Sequence, residues 1–480
     1  MILRDLFPGY AGDRANETVT GITADSRKVQ PGFVFAAMQG VVTDGRKFIQ
    51  TAIEAGAVGI LGEGLPEIAG AARIDVANAR LALAEASARF FPVQPANIVA
   101  ITGTNGKSST VDFLRQIWSS ANLNAASMGT LGAIGPNGSI DLGHTTPDPV
   151  AIHATLQTLA EDGVSHAAME ASSHGLAQYR LDAVRLSAVA FTNLTQDHLD
   201  YHNTMDGYRA AKLRLFSELA PKGCAAVVNA DSDQRLFFET AARDAGLNTI
   251  SVGWRGEDLK IEELMPKATG QRLFLSWRGE KAAIDLPLIG EFQALNALTA
   301  AGLALASGLE LQSVATGMSE LEPVKGRLEY VGETKDGAGV FVDYAHTPAG
   351  LDVLIRAARP HTAGRLVVVF GCGGDRDRGK RPLMGEVAAK HADVVIVTDD
   401  NPRSEDPAAI RKDVLAGVPN GIEIGDRGTA IKTAIADLRN GDTLLIAGKG
   451  HETGQIIGDT VVPFSDQDEA RAALVEGRDD

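Results

Sequence analysis

The sequence is short of cysteine, of positive charge and of long apolar runs, and each shortage excludes a class of protein. Its two cysteines, Cys224 and Cys372, are too few for a disulfide framework or a cysteine zinc cluster. Asp and Glu outnumber Lys and Arg by 61 to 45, and the net charge of −16 argues against a nucleic-acid or anionic-membrane binder. No apolar run reaches the roughly 18 residues of a membrane span, so we expect no membrane insertion.

Composition and length are those of an ordinary globular protein. Hydrophobic residues make up 44% of the chain and charged residues 22%, which argues against a disordered protein. Charges in the opening Met1–Tyr10 occupy positions where a signal peptide would need its apolar core, so we expect a cytoplasmic protein. A length of 480 residues predicts about three domains at roughly 150 residues each.

Glycine is abundant, with 52 residues and no collagen-like period, which predicts many tight turns between strands and helices. Short apolar strands alternate with longer amphipathic stretches, the pattern of an α/β protein with parallel sheets. Breaks in this pattern divide the chain into blocks 1–94, 95–325 and 326–480. The predicted strands are Asn97–Thr102, His166–Glu170, Leu186–Thr192 and Ala225–Asn229 in the second block, and Gly339–Tyr344, Arg365–Phe370, Asp393–Thr398 and Thr443–Ala447 in the third.

A strand, a glycine-rich turn and a helix N-terminus follow one another at Ile98–Ser108. In this arrangement backbone N–H groups and the positive end of the helix point at phosphate oxygens. Lys107 would add a positive charge and Ser108 a hydroxyl ligand for Mg²⁺. Ile101 occupies the first glycine position of the usual loop, and an ordinary turn between strand and helix is the alternative. The whole context favours ATP.

Polar side chains follow two more strands of the second block, where ligands bind in such sheets. Glu170 ends an apolar strand, and its carboxylate would either hold Mg²⁺ beside a nucleotide or cap the next turn. Lys212 lies on a later helix, where its spacing does not distinguish it from a solvated charge. The segment between them contains two carboxylates and two imidazoles that could equally bind a metal or cap a helix: Asp197, His198, Asp200 and His202.

Three glycine-rich or acidic segments follow strands of the third block, at residues 371–382, 399–404 and 447–452. Arg376 and Arg403 offer forks for a carboxylate, while Asp400 and Glu452 offer acceptors for an ammonium group. Together they suit a zwitterionic ligand. The alternative is a network of salt bridges within the domain.

These segments, together with Thr102–Ser108, Met169–Gly175, Thr192–His202 and Val342–Pro348, resemble the motifs of the ATP-dependent Mur ligases. The resemblance runs in order from Asp25 to Asp466. Asp400–Arg403 is similar to the family's meso-diaminopimelate recognition motif, and lysine-adding relatives differ there. The resemblance implies a three-domain Mur ligase architecture, with a central P-loop-type ATP-binding parallel sheet and a C-terminal Rossmann-like domain.

The resemblance also implies three binding sites. The implied ATP site consists of Thr102, Gly103, Thr104, Asn105, Gly106, Lys107, Ser108, Asn296, Arg327 and Asp343. UDP-MurNAc-dipeptide would contact Ser26, Thr145, Thr146, Ser172, Gln178 and Arg180, with Val41, Val42 and Thr43 as further candidates. Diaminopimelate would contact Arg376, Asp400, Asn401, Pro402, Arg403, Gly448 and Glu452.

The implied reaction is ATP-dependent amide-bond formation between UDP-MurNAc-L-Ala-D-Glu and meso-diaminopimelate through an acyl phosphate, in peptidoglycan precursor synthesis. We expect a monomer that acts on these small molecules and needs Mg²⁺. A carbamate on Lys212 would turn a cation that repels Mg²⁺ into an anion that helps to place it. The implied catalytic residues are Lys107, Glu170, His198 and Lys212, and the implied metal ligands are Ser108, Glu170, His198 and the Lys212 carbamate.

Three positions depart from the family pattern. Ser108 replaces the commoner threonine but keeps the hydroxyl, Gln293 stands where asparagine is frequent, and His144 precedes the threonine pair. Two alternatives remain open: a related ligase that adds L-lysine or another amino acid, and a nucleotide-binding scaffold protein that has lost the chemistry. The four implied catalytic residues together argue against the scaffold.

Overall fold

The protein is described here from a computed structural model that covers residues 1–40 and 43–479, so the candidates Val41 and Val42 lie outside the described residues. Its contacts divide the chain into two compact units. The first unit comprises Met1–Leu259 and Thr299–Val314, and the second comprises Lys260–Leu298 and Ala315–Asp480. No helix within the described residues is long and apolar enough to cross a membrane.

The first unit begins with a four-stranded parallel sheet in the order β1-β2-β3-β4. Its strands are β1 Gly21–Thr23, β2 Phe33–Ala36, β3 Gly59–Gly62 and β4 Ala72–Asp75, and its helices are α1 Leu3–Leu6, α2 Ile49–Glu54 and α3 Ala79–Phe90. The α3 helix starts after Asn78, whose side chain accepts a hydrogen bond from the amide of Leu81 and so satisfies one of the first-turn donors. Apolar residues of α1 and α3 pack against the strands and form the core.

A larger sheet occupies the rest of the first unit. Its strands are β5 Asn97–Thr102, β6 Ala125–Gly129, β7 Gly132–Gly135, β8 Gly138–Ile140, β9 His166–Glu170, β10 Leu186–Phe191, β11 Ala225–Asn229 and β12 Asn248–Gly253. They lie in the order β12-β11-β10-β5-β9-β6-β7-β8. Strands β5, β6 and β9 to β12 are parallel, and β7 and β8 are antiparallel additions. The helices are α4 Lys107–Ser120, α5 Pro149–Glu161, α6 Ser173–Ala177, α7 Leu199–His202, α8 Met205–Arg214 and α9 Arg235–Asp244.

The central position of β5 places the glycine-rich turn in the middle of this sheet. Ile98 to Ile101 are all buried, because β9 and β10 flank the strand and apolar side chains cover it. The turn and the ends of β9 and β10 therefore meet at one edge.

The second unit contains three neighbouring strands, a six-stranded sheet and a hairpin. Strands β13 Leu259–Lys267, β14 Gly270–Trp277 and β15 Glu280–Leu286 lie side by side, with β14 and β15 antiparallel. The larger sheet has the order β16-β17-β21-β18-β19-β20 and is parallel except for β16. Its strands are β16 Glu329–Glu333, β17 Gly339–Asp343, β18 Leu366–Phe370, β19 Val394–Val397, β20 Ile422–Glu423 and β21 Thr443–Ala447, and the hairpin is β22 Gly454–Ile457 with β23 Thr460–Pro463.

Helices cover both faces of this parallel sheet, as in a Rossmann-like fold. They are α12 Pro348–Ala358, α13 Lys380–His391, α14 Pro407–Leu415, α15 Arg427–Ala436 and α16 Asp466–Asp479. Two further helices, α10 Glu291–Ala306 and α11 Leu311–Ser319, contribute residues to each unit.

The predicted α/β class with parallel sheets is confirmed. Strands β5, β9, β11 and β21 have the predicted bounds, and the other four predicted strands differ by one residue at one or both ends. The four-stranded first sheet and the strands at residues 259–286, of which β14 and β15 are antiparallel, are findings of the structure.

Candidate active site

The turn between β5 and α4 requires glycine at two positions. Gly106 precedes α4 with φ of +84°, and Gly103 has φ of +154°, conformations that other residues rarely adopt. A Cβ atom on Gly103 would also collide with the side chain of Thr192. The turn thus brings its backbone close to the end of β10.

The residues after β10 hold this turn in place. Asn193 accepts hydrogen bonds from the amides of Thr104 and Asn105, through its carbonyl oxygen at 2.8 Å and its side-chain Oδ1 at 3.1 Å. The Thr192 hydroxyl donates to the Asn105 carbonyl at 2.7 Å. These bonds fix the turn from the neighbouring strand end, which is the pre-organisation that phosphate binding by backbone groups needs.

Two lysines converge on one carbonyl of the turn. The Nζ of Lys107 donates to the carbonyls of Gly103 at 3.0 Å and Thr104 at 2.8 Å. The Nζ of Lys212, from α8, donates to the same Gly103 carbonyl at 2.7 Å. Both candidate catalytic lysines therefore lie at the glycine-rich turn between β5 and α4.

Lys212 is buried, so its interpretation as a solvated charge is wrong. Lys212 is 1% exposed, and its Nζ lies 4.7 Å from the ring centre of Tyr208. Burial lowers the pKa of Lys212 well below its usual value, the Lys107 charge lowers it further, and Asp197 opposes both. These effects favour the neutral amine, which is the nucleophilic form of a lysine.

Glu170 ends β9 and is 2% exposed. Its Oε1 accepts hydrogen bonds from the Ser108 hydroxyl at 2.9 Å and the Thr130 amide at 2.8 Å. The Thr130 hydroxyl lies 3.0 Å from that of Thr145, a candidate for dipeptide contact. A Cβ atom on Gly129 would collide with the Glu170 carboxylate. The carboxylate is therefore held beside Ser108 rather than used to cap the next helix, where Ser172 is the cap.

His198 lies near this cluster in an exposed segment. It precedes α7 with φ of +52° and no side-chain capping bond, so helix capping does not explain it. Its Nε2 is 3.5 Å from Asp197, and its ring centre is 4.9 Å from that of His174 and 6.1 Å from that of Tyr208. Tyr208, which also contacts Lys212, connects the two candidate catalytic residues.

The residues around Glu170 fit a magnesium ion bound together with a nucleotide. Within residues 1–40 and 43–479, no three His, Cys, Asp or Glu side chains are arranged to hold a metal ion. Mg²⁺ needs no such set, because one or two carboxylates commonly bind it while phosphate oxygens and waters complete its shell. Glu170 and Ser108 supply oxygen donors of this kind beside the turn.

The dipeptide candidates in the first unit form a connected network. The Thr146 hydroxyl donates to the Glu170 carbonyl at 3.0 Å and accepts from the Ser172 amide at 3.1 Å. The Arg180 guanidinium donates to the Thr146 carbonyl at 2.5 Å and to the side-chain oxygen of Gln178 at 2.8 Å. The network thus joins four of these candidates to the Glu170 strand end.

A cleft of the first unit adjoins this network. Gln178 and Arg180 line it together with Arg80, Asp148 and His144, one of the positions that depart from the family pattern. Ser26 lies elsewhere, in a short 3₁₀ helix at Ser26–Lys28 capped by Asp25, and the described hydrogen bonds do not join it to the other candidates.

Two nucleotide candidates of the second unit, Asn296 and Arg327, are joined through Gln293. Its side chain donates to the Arg327 carbonyl at 2.9 Å and accepts from Asn296 at 3.0 Å. Asp343, at the end of β17, accepts hydrogen bonds at 2.7 Å from the amides of Leu328 and Ala345. Gln293 therefore maintains contacts that join two nucleotide candidates.

Asn401 and Glu452 meet at the ends of β19 and β21. The Asn401 Nδ2 donates to the Glu452 Oε2 at 3.0 Å, and the Nζ of Lys449 donates to the same oxygen at 3.2 Å. The Arg403 guanidinium donates to the Gly374 carbonyl at 2.9 Å. The three segments predicted to bind a zwitterion, residues 371–382, 399–404 and 447–452, are therefore in contact.

Charges of both signs surround Tyr344 in this part of the second unit. Burial raises the pKa of its phenol, the carboxylates of Glu452 and Asp400 raise it further, and Arg327 and Arg376 lower it. Two arginines and two carboxylates are thus close enough to act on one side chain. The Asp400 carboxylate also approaches the backbone closely at Gly448, where a Cβ atom would lie 2.8 Å from it. Asn401 and Pro402 are both buried.

Comparison with known proteins gives matches along most of the chain. Residues 18–97 match the "Mur ligase family, catalytic domain", residues 101–304 the "Mur ligase middle domain", and residues 326–450 the "Mur ligase, glutamate ligase domain". A curated relative from Bradyrhizobium diazoefficiens is 52% identical over 481 residues, covering 99% of each chain. The chain belongs to the Mur ligase family.

The names of this relative and of a solved structure agree with membership in the Mur ligase family. The Bradyrhizobium relative is named a UDP-N-acetylmuramoyl-L-alanyl-D-glutamate--2,6-diaminopimelate ligase. A solved structure with the same name is 32% identical to this Mur ligase, covers 100% of it and 99% of its own chain, and has a TM-score of 0.77. The MurF ligase of Thermotoga maritima, solved with ADP, is 16% identical with a TM-score of 0.61, a similarity of fold alone over 96% and 97% of the two chains.

Sequence reasoning missed three polar residues that hold the candidate groups of this Mur ligase. Thr130 fixes the Glu170 carboxylate, Asn193 fixes the glycine-rich turn, and Lys449 contacts Asn401. Asn193 and Lys449 lie inside the segments Thr192–His202 and 447–452, so their position at strand ends is the available signal. Thr130 follows a strand that was not predicted, and nothing in its segment marks it.

Proposed function

We propose that this Mur ligase joins meso-diaminopimelate to the D-glutamate side-chain carboxyl of UDP-MurNAc-L-Ala-D-Glu, with cleavage of ATP to ADP and phosphate, in peptidoglycan precursor synthesis in the cytoplasm. The observation that carries the proposal is the Asp400–Arg403 segment beside Glu452, in a chain 52% identical to a named 2,6-diaminopimelate ligase. Its arginines suit a carboxylate and its acidic groups an ammonium.

The reaction follows from the charges at the turn. The substrate carboxylate attacks the γ-phosphate of ATP, so two anions must meet. Positive charge from Lys107 and the N-terminus of α4 lowers the repulsion and stabilises the transferred phosphoryl group. ADP leaves as the acyl phosphate forms. The amine of the amino acid then attacks the acyl carbon and loses a proton, and phosphate leaves from the tetrahedral intermediate.

Four residues would hold Mg²⁺ at this turn: Ser108, Glu170, His198 and Lys212 as its carbamate. The bound metal would supply positive charge to the phosphate oxygens. Carbamate formation is supported by the burial of Lys212, because burial favours the neutral amine that adds to carbon dioxide with loss of a proton. The carbamate would then place a negative charge beside the turn, where a protonated lysine would repel the metal ion.

Three binding sites follow, each proposed from the resemblance and the contacts described above. ATP is assigned to Thr102, Gly103, Thr104, Asn105, Gly106, Lys107, Ser108, Asn296, Arg327 and Asp343. The UDP-linked dipeptide is assigned to Ser26, Thr145, Thr146, Ser172, Gln178 and Arg180. Diaminopimelate is assigned to Arg376, Asp400, Asn401, Pro402, Arg403, Gly448 and Glu452. The corresponding domains are residues 1–94, 95–325 and 326–480, in a monomer.

The test measures phosphate release and product mass with the purified full-length protein, ATP, Mg²⁺ and UDP-MurNAc-L-Ala-D-Glu. The amines offered are meso-diaminopimelate, L-lysine and other amino acids, each at the same concentration. We expect phosphate release that needs both the dipeptide substrate and diaminopimelate, with a product of the corresponding mass. Lys107→Ala is the inactive control, because it removes a charge from the turn.

The outcomes separate the alternatives. Comparable turnover with L-lysine would reject diaminopimelate as the specific substrate. The absence of substrate-dependent phosphate release with every amine would reject the ligase reaction and leave the nucleotide-binding scaffold.

A further inference from the structure

Lys449 is a buried lysine beside the proposed diaminopimelate residues to which no role has been assigned. It lies between Gly448 and Gly450 after β21, and its side chain is 0% exposed. The neighbouring Glu452 side chain is 35% exposed. A ligand that approaches from solvent would therefore touch Glu452, while Lys449 supports it from behind.

Two hydrogen bonds of Lys449 determine how its neighbours are oriented. Its Nζ donates to the Asn401 Oδ1 at 3.1 Å and to the Glu452 Oε2 at 3.2 Å. The Ile456 amide donates to the same Asn401 oxygen at 2.9 Å. With two donors on its oxygen, the Asn401 amide must direct its Nδ2 group at Glu452, where it donates at 3.0 Å.

As a result, one oxygen of the Glu452 carboxylate accepts hydrogen bonds from two donors. The Glu452 Oε2 accepts from both Asn401 and Lys449. None of the described hydrogen bonds goes to the Oε1 of Glu452, which leaves that oxygen for a ligand. The Lys449 ammonium also offsets part of the negative charge that Asp400 and Glu452 place beyond the ends of β19 and β21.

We propose that Lys449 is a positioning residue for amino-acid recognition: through Asn401 and Glu452 it fixes the acceptor that the ammonium group of the incoming amino acid meets. The proposal rests on the proposed function in one respect, the assignment of Glu452 to the amino-acid site. Lys449 itself does not touch the ligand. Its effect should therefore appear in amino-acid affinity rather than in ATP use.

The experiment compares Lys449→Met with the wild-type ligase in the full-length protein. We expect the KM for diaminopimelate to rise about tenfold to a hundredfold, because a buried hydrogen bond to a charged group is lost. The KM for ATP should stay within about twofold and kcat within about threefold, since the phosphate turn is unchanged. Lys432→Met is the matched control, because among the described residues that lysine has an exposed ion pair with Glu476 in the same unit.

A purely structural role predicts a different result. It would lower the thermal midpoint and kcat through a loss of active protein, and leave the KM for diaminopimelate unchanged. That result would overturn the proposal. If Lys449→Met does not fold, Lys449→Gln is measured instead. This variant keeps a donor for Asn401 but loses the charge-assisted bond to Glu452, so we expect the KM for diaminopimelate to rise less than in Lys449→Met. A normal KM for diaminopimelate in folded Lys449→Gln would overturn the proposal.

A double-mutant cycle tests whether Lys449 acts through Glu452. We expect Lys449→Met to reduce kcat/KM for diaminopimelate at least about fivefold less in a Glu452→Gln background than in the wild type, because the shared interaction is already lost. Independent, multiplicative losses would contradict the proposal. A wild-type enzyme that uses another amine would contradict the proposed function alone, and the cycle would then be measured with that amine.

Discussion

The Nζ of Lys212 donates a 2.7 Å hydrogen bond to the carbonyl oxygen of Gly103, across 109 residues of sequence. The same oxygen accepts from Lys107 at 3.0 Å. A lysine that is 1% exposed thus ends at the turn proposed to hold the phosphates. This contact distinguishes Lys212 from the exposed lysines of the chain and gives a physical basis for its proposed carbamate.

We predict that Lys212→Ala lowers substrate-dependent phosphate release about 100-fold or more, because the anionic group that helps to place Mg²⁺ is lost. Acetate or formate should restore part of this activity by entering the space left by the side chain. Lys212→Met fills that space and should not respond, and the exposed Lys222→Ala should behave as the wild type. Full activity of Lys212→Ala would reject the carbamate role, as would the absence of a ¹³C-bicarbonate-derived carbamate signal from the wild type in NMR.

We predict that Gly129→Ala raises the Mg²⁺ concentration for half-maximal activity about tenfold. A Cβ atom at this position would collide with the Glu170 carboxylate, which must then move away from Ser108. The measurement is a Mg²⁺ titration at saturating ATP. Gly9→Ala is the matched control, because a Cβ there meets no atom within 4 Å. An unchanged Mg²⁺ requirement in folded Gly129→Ala would argue against Glu170 as a ligand.

We predict that Arg403→Ala raises the KM for diaminopimelate about tenfold to a hundredfold, while the KM for ATP changes little. The guanidinium is oriented by its bond to the Gly374 carbonyl and would form charge-assisted hydrogen bonds to a ligand carboxylate. Steady-state kinetics with each substrate varied in turn measure both constants. Arg356→Ala removes an exposed arginine of α12 and serves as control. An equal rise in both constants would argue against amino-acid recognition by Arg403.

Much of the parallel core could be predicted because its signals are local. Buried strands such as β5 and β9 are continuous apolar runs that end in glycine or a charged residue, and each of these signals lies within about ten residues. Strands β13 to β15 mix buried and exposed residues and have no comparable signal at their ends, so the sequence alone did not locate them.

The contacts that hold the candidate site could not be predicted for a different reason. Thr130 and Glu170 are 40 residues apart, and Asn401 and Lys449 are 48 apart. Which polar side chains meet across such separations depends on strand order and crossover, not on local pattern. The sequence could therefore indicate Glu170 and Asn401, but not the residues that orient them.

The last prediction concerns stability and His153, which is buried in the first unit. Its Nε2 donates to the Asp182 carbonyl at 3.2 Å and its Nδ1 accepts from Gln94 at 3.3 Å, so the folded protein holds the neutral ring. Burial lowers the pKa of His153 to about 4, against 6.5 in its ordinary state. The unfolded chain therefore binds this proton first as the pH falls, and the contribution of the neutral ring to stability is complete above pH 6.5 and lost progressively towards pH 4.

Urea unfolding of the wild type should show this loss, up to about 2 kcal/mol at pH 5 from this residue, and His153→Gln should show a smaller pH dependence. The exposed His144→Gln should keep the wild-type dependence, and an unchanged dependence in His153→Gln would contradict the assignment.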